Sequence, residues 1–310
     1  MSLARQLFLR GSTSPWLAHK LSNRRFVQRA VSRFMPGESL EAAVDAGVSL
    51  QNAGMRSILT LLGENVADRS AAEQVATHYQ GVVEAIGGAG LAADLSVKPT
   101  HLGLDLGTEV AEEALRAVVV RAGAAGRLVV VDMESSAYVD ATLALYRGMR
   151  ANHENVGICL QAYLYRTEED MESLLPMRPM IRLVKGAYRE PDDVAWPKKP
   201  EVDAAFLARA VRLLEATKAD PGVRVGFGTH DGKLIDRIQR AAADIGLERD
   251  AYEIQMLYGI RRDLQASLVS EGYAVRILIS YGPHWFPWYM RRLAERPANV
   301  WFMLRSVTGR

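Results

Sequence analysis

Near the end of this 310-residue chain two adjacent arginines, Arg291 and Arg292, stand in an aromatic setting. Trp285, Phe286, Trp288 and Tyr289 precede them, and Glu295 follows. In a helix starting at Pro287, spacings of three and four would set Trp288, Arg291, Arg292 and Glu295 on one broad face. Paired guanidinium groups beside aromatic rings make a clamp for a small carboxylate, which arginine binds through two parallel hydrogen bonds. A charged helix face in water is the blander explanation. The density of aromatic rings argues against it.

More polar side chains fall at the ends of short apolar runs. Glu64 follows Ser57–Leu62, Lys98 follows Ala92–Val97, Asp132 and Glu134 close Leu128–Met133, and Gln161 ends Gly157–Gln161. Arg182 lies within Met180–Val184, with Lys185 and Tyr188 just beyond; Thr229, His230 and Asp231 follow Val223–Phe227. Gln255 sits in Tyr252–Met256, and Tyr281 follows Val275–Ile279. Taken singly, a lysine or arginine after a strand is usually surface charge, and a single histidine usually a satisfied loop or core residue. Their shared position and the number of cations point together to an anionic ligand. His101, Asp132, Glu134, His230 and Asp231 offer metal-ligand chemistry, but there is no closely spaced histidine pair, so no metal is expected. Cys159 lies mid-run as a small core residue. Neither a Gly-x-Ser-x-Gly elbow nor a Walker-type phosphate loop is present.

The eight apolar runs are rich in Val, Ile and Leu, as strands buried on both faces must be. Between them lie stretches such as Thr108–Ala122, Tyr138–Arg150 and Val202–Lys218, whose apolar residues recur at three and four positions. Eight strands alternating with helices predict a parallel α/β fold. A doubly wound open sheet would place a Gly-rich turn after an early strand, whereas the first run ends in Gly63-Glu64-Asn65. The count and regularity predict a (β/α)8 barrel over residues 57–310. Residues 1–56 read as a helical lead-in and not an independent domain, with Ser39 as an N-cap. Active sites of such barrels lie at the C-terminal ends of the strands, where the polar residues above gather.

Hydrophobic types make up 49% of the chain, enough for one large core, and the single cysteine rules out an internal disulfide. A reducing, cytoplasmic setting suits that composition. The net charge of +2 conceals an asymmetry: residues 1–37 hold seven Arg or Lys and no acid, which leaves 38 − 7 = 31 basic against 36 acidic residues beyond. That basic arm reads as a targeting segment, as a contact with anionic lipid at the inner face of the cytoplasmic membrane, or as the solvated faces of lead-in helices. Nucleic acid is not expected, because no stacking platform interleaves the basic residues. No apolar run approaches the roughly 20 residues needed to span a bilayer.

These motifs together resemble the proline dehydrogenases. The resemblance rests on Met180 to Tyr188 (MIRLVKGAY), on Arg291 to Asn299 (RRLAERPAN), and on Leu62-Gly63-Glu64. It is extended by Lys98 with Leu102 to Asp105, Asp132 to Ser136, Gln161 to Tyr163, Thr229 to Asp231 and Gln255 to Gly259. It covers about residues 33–300, in order. It implies a distorted TIM-type barrel that holds FAD non-covalently at its mouth, under a final helix carrying the arginine pair. Arg291 and Arg292 would bind the carboxylate of L-proline with help from Lys98. Glu295 would orient an arginine, and Glu64 would form a gating ion pair with one. Tyr281 and Leu257 would wall the ring of the substrate, while Asp132 and Tyr188 support the pocket. Gln161, Arg182, Val184, Lys185, Gly186, Ala187, Thr229, His230 and Gln255 would face the flavin, with Arg182 near its N5. Where the family usually has tyrosine, this chain has Trp288, which bears on fine substrate preference. Membrane quinone as electron acceptor, and a separate pyrroline-5-carboxylate dehydrogenase, follow from the same resemblance. A hydroxyproline dehydrogenase, a phosphate-binding barrel lyase or isomerase, and a catalytically silent proline- or flavin-binding barrel are the competing readings.

Overall fold

The computed structural model describes residues 31–286. Helix α1 (Leu40–Asn52) leads into an alternating series: β1 (Arg56–Leu61), α2 (Arg69–Gly88), β2 (Ala93–Val97), α3 (Thr108–Ala124), β3 (Val129–Val131), α4 (Val139–Arg150), β4 (Val156–Gln161) and α5 (Thr167–Leu174). It continues with β5 (Met180–Val184), α6 (Lys199–Ala219), β6 (Arg224–Gly228), α7 (Gly232–Asp244), β7 (Glu253–Leu257), α8 (Arg262–Ser270) and β8 (Ala274–Tyr281). Every neighbouring pair of strands is parallel, and β8 pairs with β1 from Arg56↔Arg276 to Leu61↔Tyr281, which closes the barrel. No described helix is long and apolar enough to cross a membrane.

Each apolar run of the sequence becomes a strand, because only residues indifferent to water can stand between the barrel interior and the helix layer. The three valines of β3 and all six residues of β4 are buried. The expected third strand, Leu128–Met133, is trimmed at both ends. Its neighbour, the Leu128 amide, is held at 2.9 Å by the carboxylate of Asp94. Helix α1 starts where expected, with Ser39 Oγ accepting from the Ala42 amide at 3.2 Å. Beyond β8, Trp285 donates its indole N–H to Glu38 at 2.8 Å, which ties the chain after the last strand to the lead-in. The rest of the predicted lead-in and the final helix with Trp288, Arg291, Arg292 and Glu295 lie outside the described residues.

The barrel interior has two levels. Its lower level is a small cluster of Ile58, Leu128, Val130 and Met180, beside a buried ion network. There Arg276 grips Glu253 with two hydrogen bonds of 2.7 Å and also pairs with Asp94. The upper level opens as a cavity at the C-terminal ends of the strands.

Candidate active site

The cavity measures about 440 Å³, within the range of small-molecule sites. The structure brings Lys98, Asp132, Tyr188 and Leu257 to its wall, together with all nine residues expected to face a flavin. Those nine are Gln161, Arg182, Val184, Lys185, Gly186, Ala187, Thr229, His230 and Gln255. These nine come from strands four to seven and the loops that follow, while Lys98 and Asp132 add the ends of strands two and three.

Arg182 is the buried charge of the site. It pairs with Asp132 and donates from the same terminal nitrogen to Ser96 Oγ at 2.9 Å. Burial, and behind it the cation of Arg276, pushes its pKa down to about 10. That still lies far above neutrality, so the guanidinium stays charged. Its other terminal nitrogen, Nη1, is buried with no hydrogen-bond partner among the described residues, and the same holds for Gln161 Oε1. A buried polar atom without a partner is costly. A donor and an acceptor without partners among the described residues, on two side chains that line one cavity, therefore point to a polar ligand there.

Lys98 reaches Glu64 across the top of β1 and β2. Glu64 itself is not part of the cavity wall. Beneath the pair, Glu134 accepts from the Thr100 amide at 2.9 Å and from its hydroxyl at 2.7 Å. These bonds fix the short 3-10 turn Thr100–Leu102 that follows Lys98. Burial raises the pKa of Glu134 in spite of those bonds. His101 lies in the same turn with its ring packed on Gly63, where a Cβ would overlap it. Burial first, then Lys98 and His284, push the imidazole down to about 4.

The segment between β5 and α6 carries the densest set of expected contacts, and β4 holds it in shape. Gly186 has φ +116°, and a Cβ there would run into the ring of Tyr163, so only glycine suits the position. Tyr163 and Trp196 are joined by a backbone bond of 2.8 Å, Leu164 and Ala195 form an isolated bridge, and Glu190 accepts from the Ser136 amide at 2.8 Å. At the rim Lys185 and Lys199 share Asp203 and Asp231. Partial burial works against both carboxylates, yet the two ammonium groups hold them below their ordinary pKa.

On the opposite wall His230 Nε2 accepts from the Leu257 amide at 2.9 Å. That bond requires Nε2 unprotonated, so the neutral ring carries its proton on Nδ1. The Gln255 amide donates to Glu253 at 3.0 Å and lies so close over Gly226 that a Cβ there would overlap it. Among the described residues no group of three or more His, Cys, Asp or Glu is placed to hold a metal.

Tyr281 departs from the reading of the sequence. It is the last residue of β8 and does not follow it, and it does not line the described cavity. Its hydroxyl meets His78 Nε2 of α2 at 2.8 Å in the layer outside the barrel, and burial raises its pKa. The inward residues of β8 are Leu278 and Ser280. Alternation along a strand sends Tyr281 the other way. Ser280, Thr60 and Ser96 went unnoticed in the sequence. A period of two counted from Lys98 would have found Ser96. Lys199 had no comparable signal, since it reaches the rim from the start of α6.

Comparison with known proteins gives a consistent answer. The family model described as "Proline dehydrogenase" matches residues 43–305. Proline dehydrogenase 1 of Bacillus subtilis strain 168 is 37% identical over 276 residues, 89% of each chain. Proline dehydrogenase 2 of the same strain is 33% identical over 306 residues, 99% of each. Proline dehydrogenase of Deinococcus radiodurans is 37% identical over 280 residues, again 89% of each. Among solved structures, proline utilization A of Bdellovibrio bacteriovorus inactivated by N-propargylglycine superposes with a TM-score of 0.81 at 23% identity, over 94% of this chain and 36% of that one. A mutant of proline utilization A from Bradyrhizobium japonicum gives 0.74 at 22% identity, over 87% and 31%. The chain thus spans about a third of these solved proteins, and at such identity they establish the fold alone.

Proposed function

The chain belongs to the proline dehydrogenase family, and from that premise we propose that it oxidises L-proline to Δ1-pyrroline-5-carboxylate with non-covalent FAD. The observation that carries this reading is the cavity itself. It gathers all nine expected flavin-facing residues around a buried cation, Arg182, whose Nη1, like Gln161 Oε1, has no partner among the described residues. Those two atoms fit a heterocycle that offers both acceptors and donors.

Bound flavin would supply the two-electron acceptor for the hydride leaving C5 of proline. The protein's own residues orient and stabilise. Arg182, charged and held by Asp132, would stabilise the negative charge that reduction brings to a flavin bound there. Gln161 and His230 add polar side chains to the same wall. Lys185 and Lys199 give the rim the cations that a diphosphate needs. Lys98 supplies a cation for the carboxylate, beside the clamp assigned to Arg291 and Arg292, with Glu295 orienting the clamp and Glu64 gating it. Leu257 and Trp288 bound the substrate, and Asp132 and Tyr188 support the pocket. Holding C5 at the acceptor supplies the proximity contribution to rate. Reoxidation by membrane quinone, delivery of product to a separate pyrroline-5-carboxylate dehydrogenase, and a peripheral membrane contact through the basic arm of a cytoplasmic protein complete the reading. Residues 57–310 form its catalytic barrel and 1–56 its lead-in.

The test is the visible spectrum of the purified protein with and without substrate under anaerobic conditions. A flavin spectrum bleached by L-proline is expected, and trans-4-hydroxy-L-proline serves as the comparison. That comparison matters because Tyr281, the ring expected to exclude a hydroxyl, is absent from the described cavity wall. Protein that stays colourless after incubation with FAD would overturn the reading. Within it, Arg292→Ala is expected to raise KM for proline at least tenfold, about the effect of losing a hydrogen bond to a charged group, while flavin stays bound. Unchanged proline kinetics would remove the clamp assignment.

A further inference from the structure

Ser96 is fully buried in β2, two residues before Lys98, and does not touch the cavity. Its hydroxyl lies 2.8 Å from Asp132 Oδ1 and 2.9 Å from Arg182 Nη2. The directions of these bonds follow from chemistry. Arginine only donates, so the contact with Arg182 occupies a lone pair on Oγ. The single hydroxyl proton is then free for Asp132, whose carboxylate accepts. The other acceptor in reach, Val130 O, is at 3.5 Å, too long to compete.

The result is a closed triangle in which Arg182 donates from one nitrogen to both Ser96 and Asp132, while Ser96 donates to Asp132. A guanidinium is planar. Pinning Nη2 from two sides therefore fixes the plane of the group and the direction of Nη1, the buried atom without a partner among the described residues. An ion pair with Asp132 alone would leave rotation about that contact. The hydroxyl removes it.

We propose that Ser96 is a positioning residue that aims Arg182 at the bound flavin, an inference that rests on the flavin assignment above. It predicts an effect on the electronic state of the flavin without an effect on substrate binding, since Ser96 lies on neither the substrate nor the cavity wall.

The test uses the holoenzyme. Ser96→Ala is expected to retain stoichiometric FAD and a proline KM within about twofold of wild type. The rate of anaerobic flavin reduction by L-proline should fall about tenfold, the scale of one lost hydrogen bond to a charged group. The midpoint potential of the bound flavin should shift to more negative values, because the cation beside the reduced ring is no longer held in place. Ser96→Cys keeps the shape and replaces the hydroxyl with a weak acceptor, so it should follow alanine and provides the reading if the alanine variant does not fold. Wild-type reduction rate and potential in either folded variant would overturn the proposal. So would a variant that loses FAD affinity and proline affinity together at an unchanged potential, the mark of a merely structural residue. Failure of the flavin assignment would show earlier and separately, in wild-type protein that takes up no FAD.

Discussion

His101 shows how burial changes what a residue can do. Its type suggested a metal ligand, but the fold turns its ring onto Gly63 with Nδ1 buried and without a partner among the described residues. Burial first, then Lys98, His284 and His78, outweigh the opposing carboxylate of Glu64 and push its pKa down to about 4 against an ordinary 6.5. The unfolded chain therefore takes up the proton first. The stability that the neutral ring contributes is complete above about pH 6.5 and is lost progressively as pH falls through about 4. Between pH 7 and pH 5 that loss amounts to about 2 kcal/mol. Denaturant midpoints at the two pH values should therefore lie closer together in His101→Gln than in the wild type. Equal spacing would mean that the ring is not buried neutral. Arg182 makes the complementary case: burial lowers its pKa too, but from so high a start that it remains a cation.

At the scale of elements, the segment from Lys185 to Lys198 has no regular secondary structure, yet it carries three of the expected flavin contacts, Lys185, Gly186 and Ala187, and Tyr188 depends on it. Its shape comes from its neighbours. Tyr163 fills the space beside Gly186, the bridge Leu164↔Ala195 lines it up with the end of β4, and Glu190 locks it to Ser136. Gly186→Ala must both strain a backbone at φ +116° and displace the Tyr163 ring. We expect a stability loss of about 1–3 kcal/mol by chemical denaturation. Weaker uptake of FAD by the apoprotein should accompany it. Loss of stability with unchanged uptake would show that this segment does not bear on the cofactor.

At the scale of the whole molecule, the barrel is plugged by charge below and open above. Arg276 is buried with two carboxylates, Glu253 and Asp94; burial opposes its ionisation, but the pair outweighs that and raises its pKa. Glu253 also takes the amide of Gln255, so the plug reaches the cavity wall. Removing one member of such a network leaves a buried charge uncompensated. Arg276→Met is expected to cost about 3–5 kcal/mol, read from equilibrium unfolding. Adding Glu253→Gln should restore part of that loss in a double-mutant cycle. Additive losses would mean that the two side chains are not coupled.

The sequence by itself determined the number and order of the strands, because parallel strands covered on both faces must be continuous runs of Val, Ile and Leu. It also determined which polar residues crowd the mouth, because a residue at the end of such a run has one place to go in a closed barrel. Lys98, Asp132, Gln161, Arg182, His230 and Gln255 were legible for that reason. The tertiary structure alone decided which way each strand's residues face and which charges meet. Tyr281 and Ser280 are adjacent in sequence, and one turns to His78 while the other turns to the cavity. The pairing of Glu64 with Lys98, and of Arg182 with Asp132 and Ser96, joins strands far apart along the chain. Register across a closed barrel sets those distances, and no local pattern of residues encodes it.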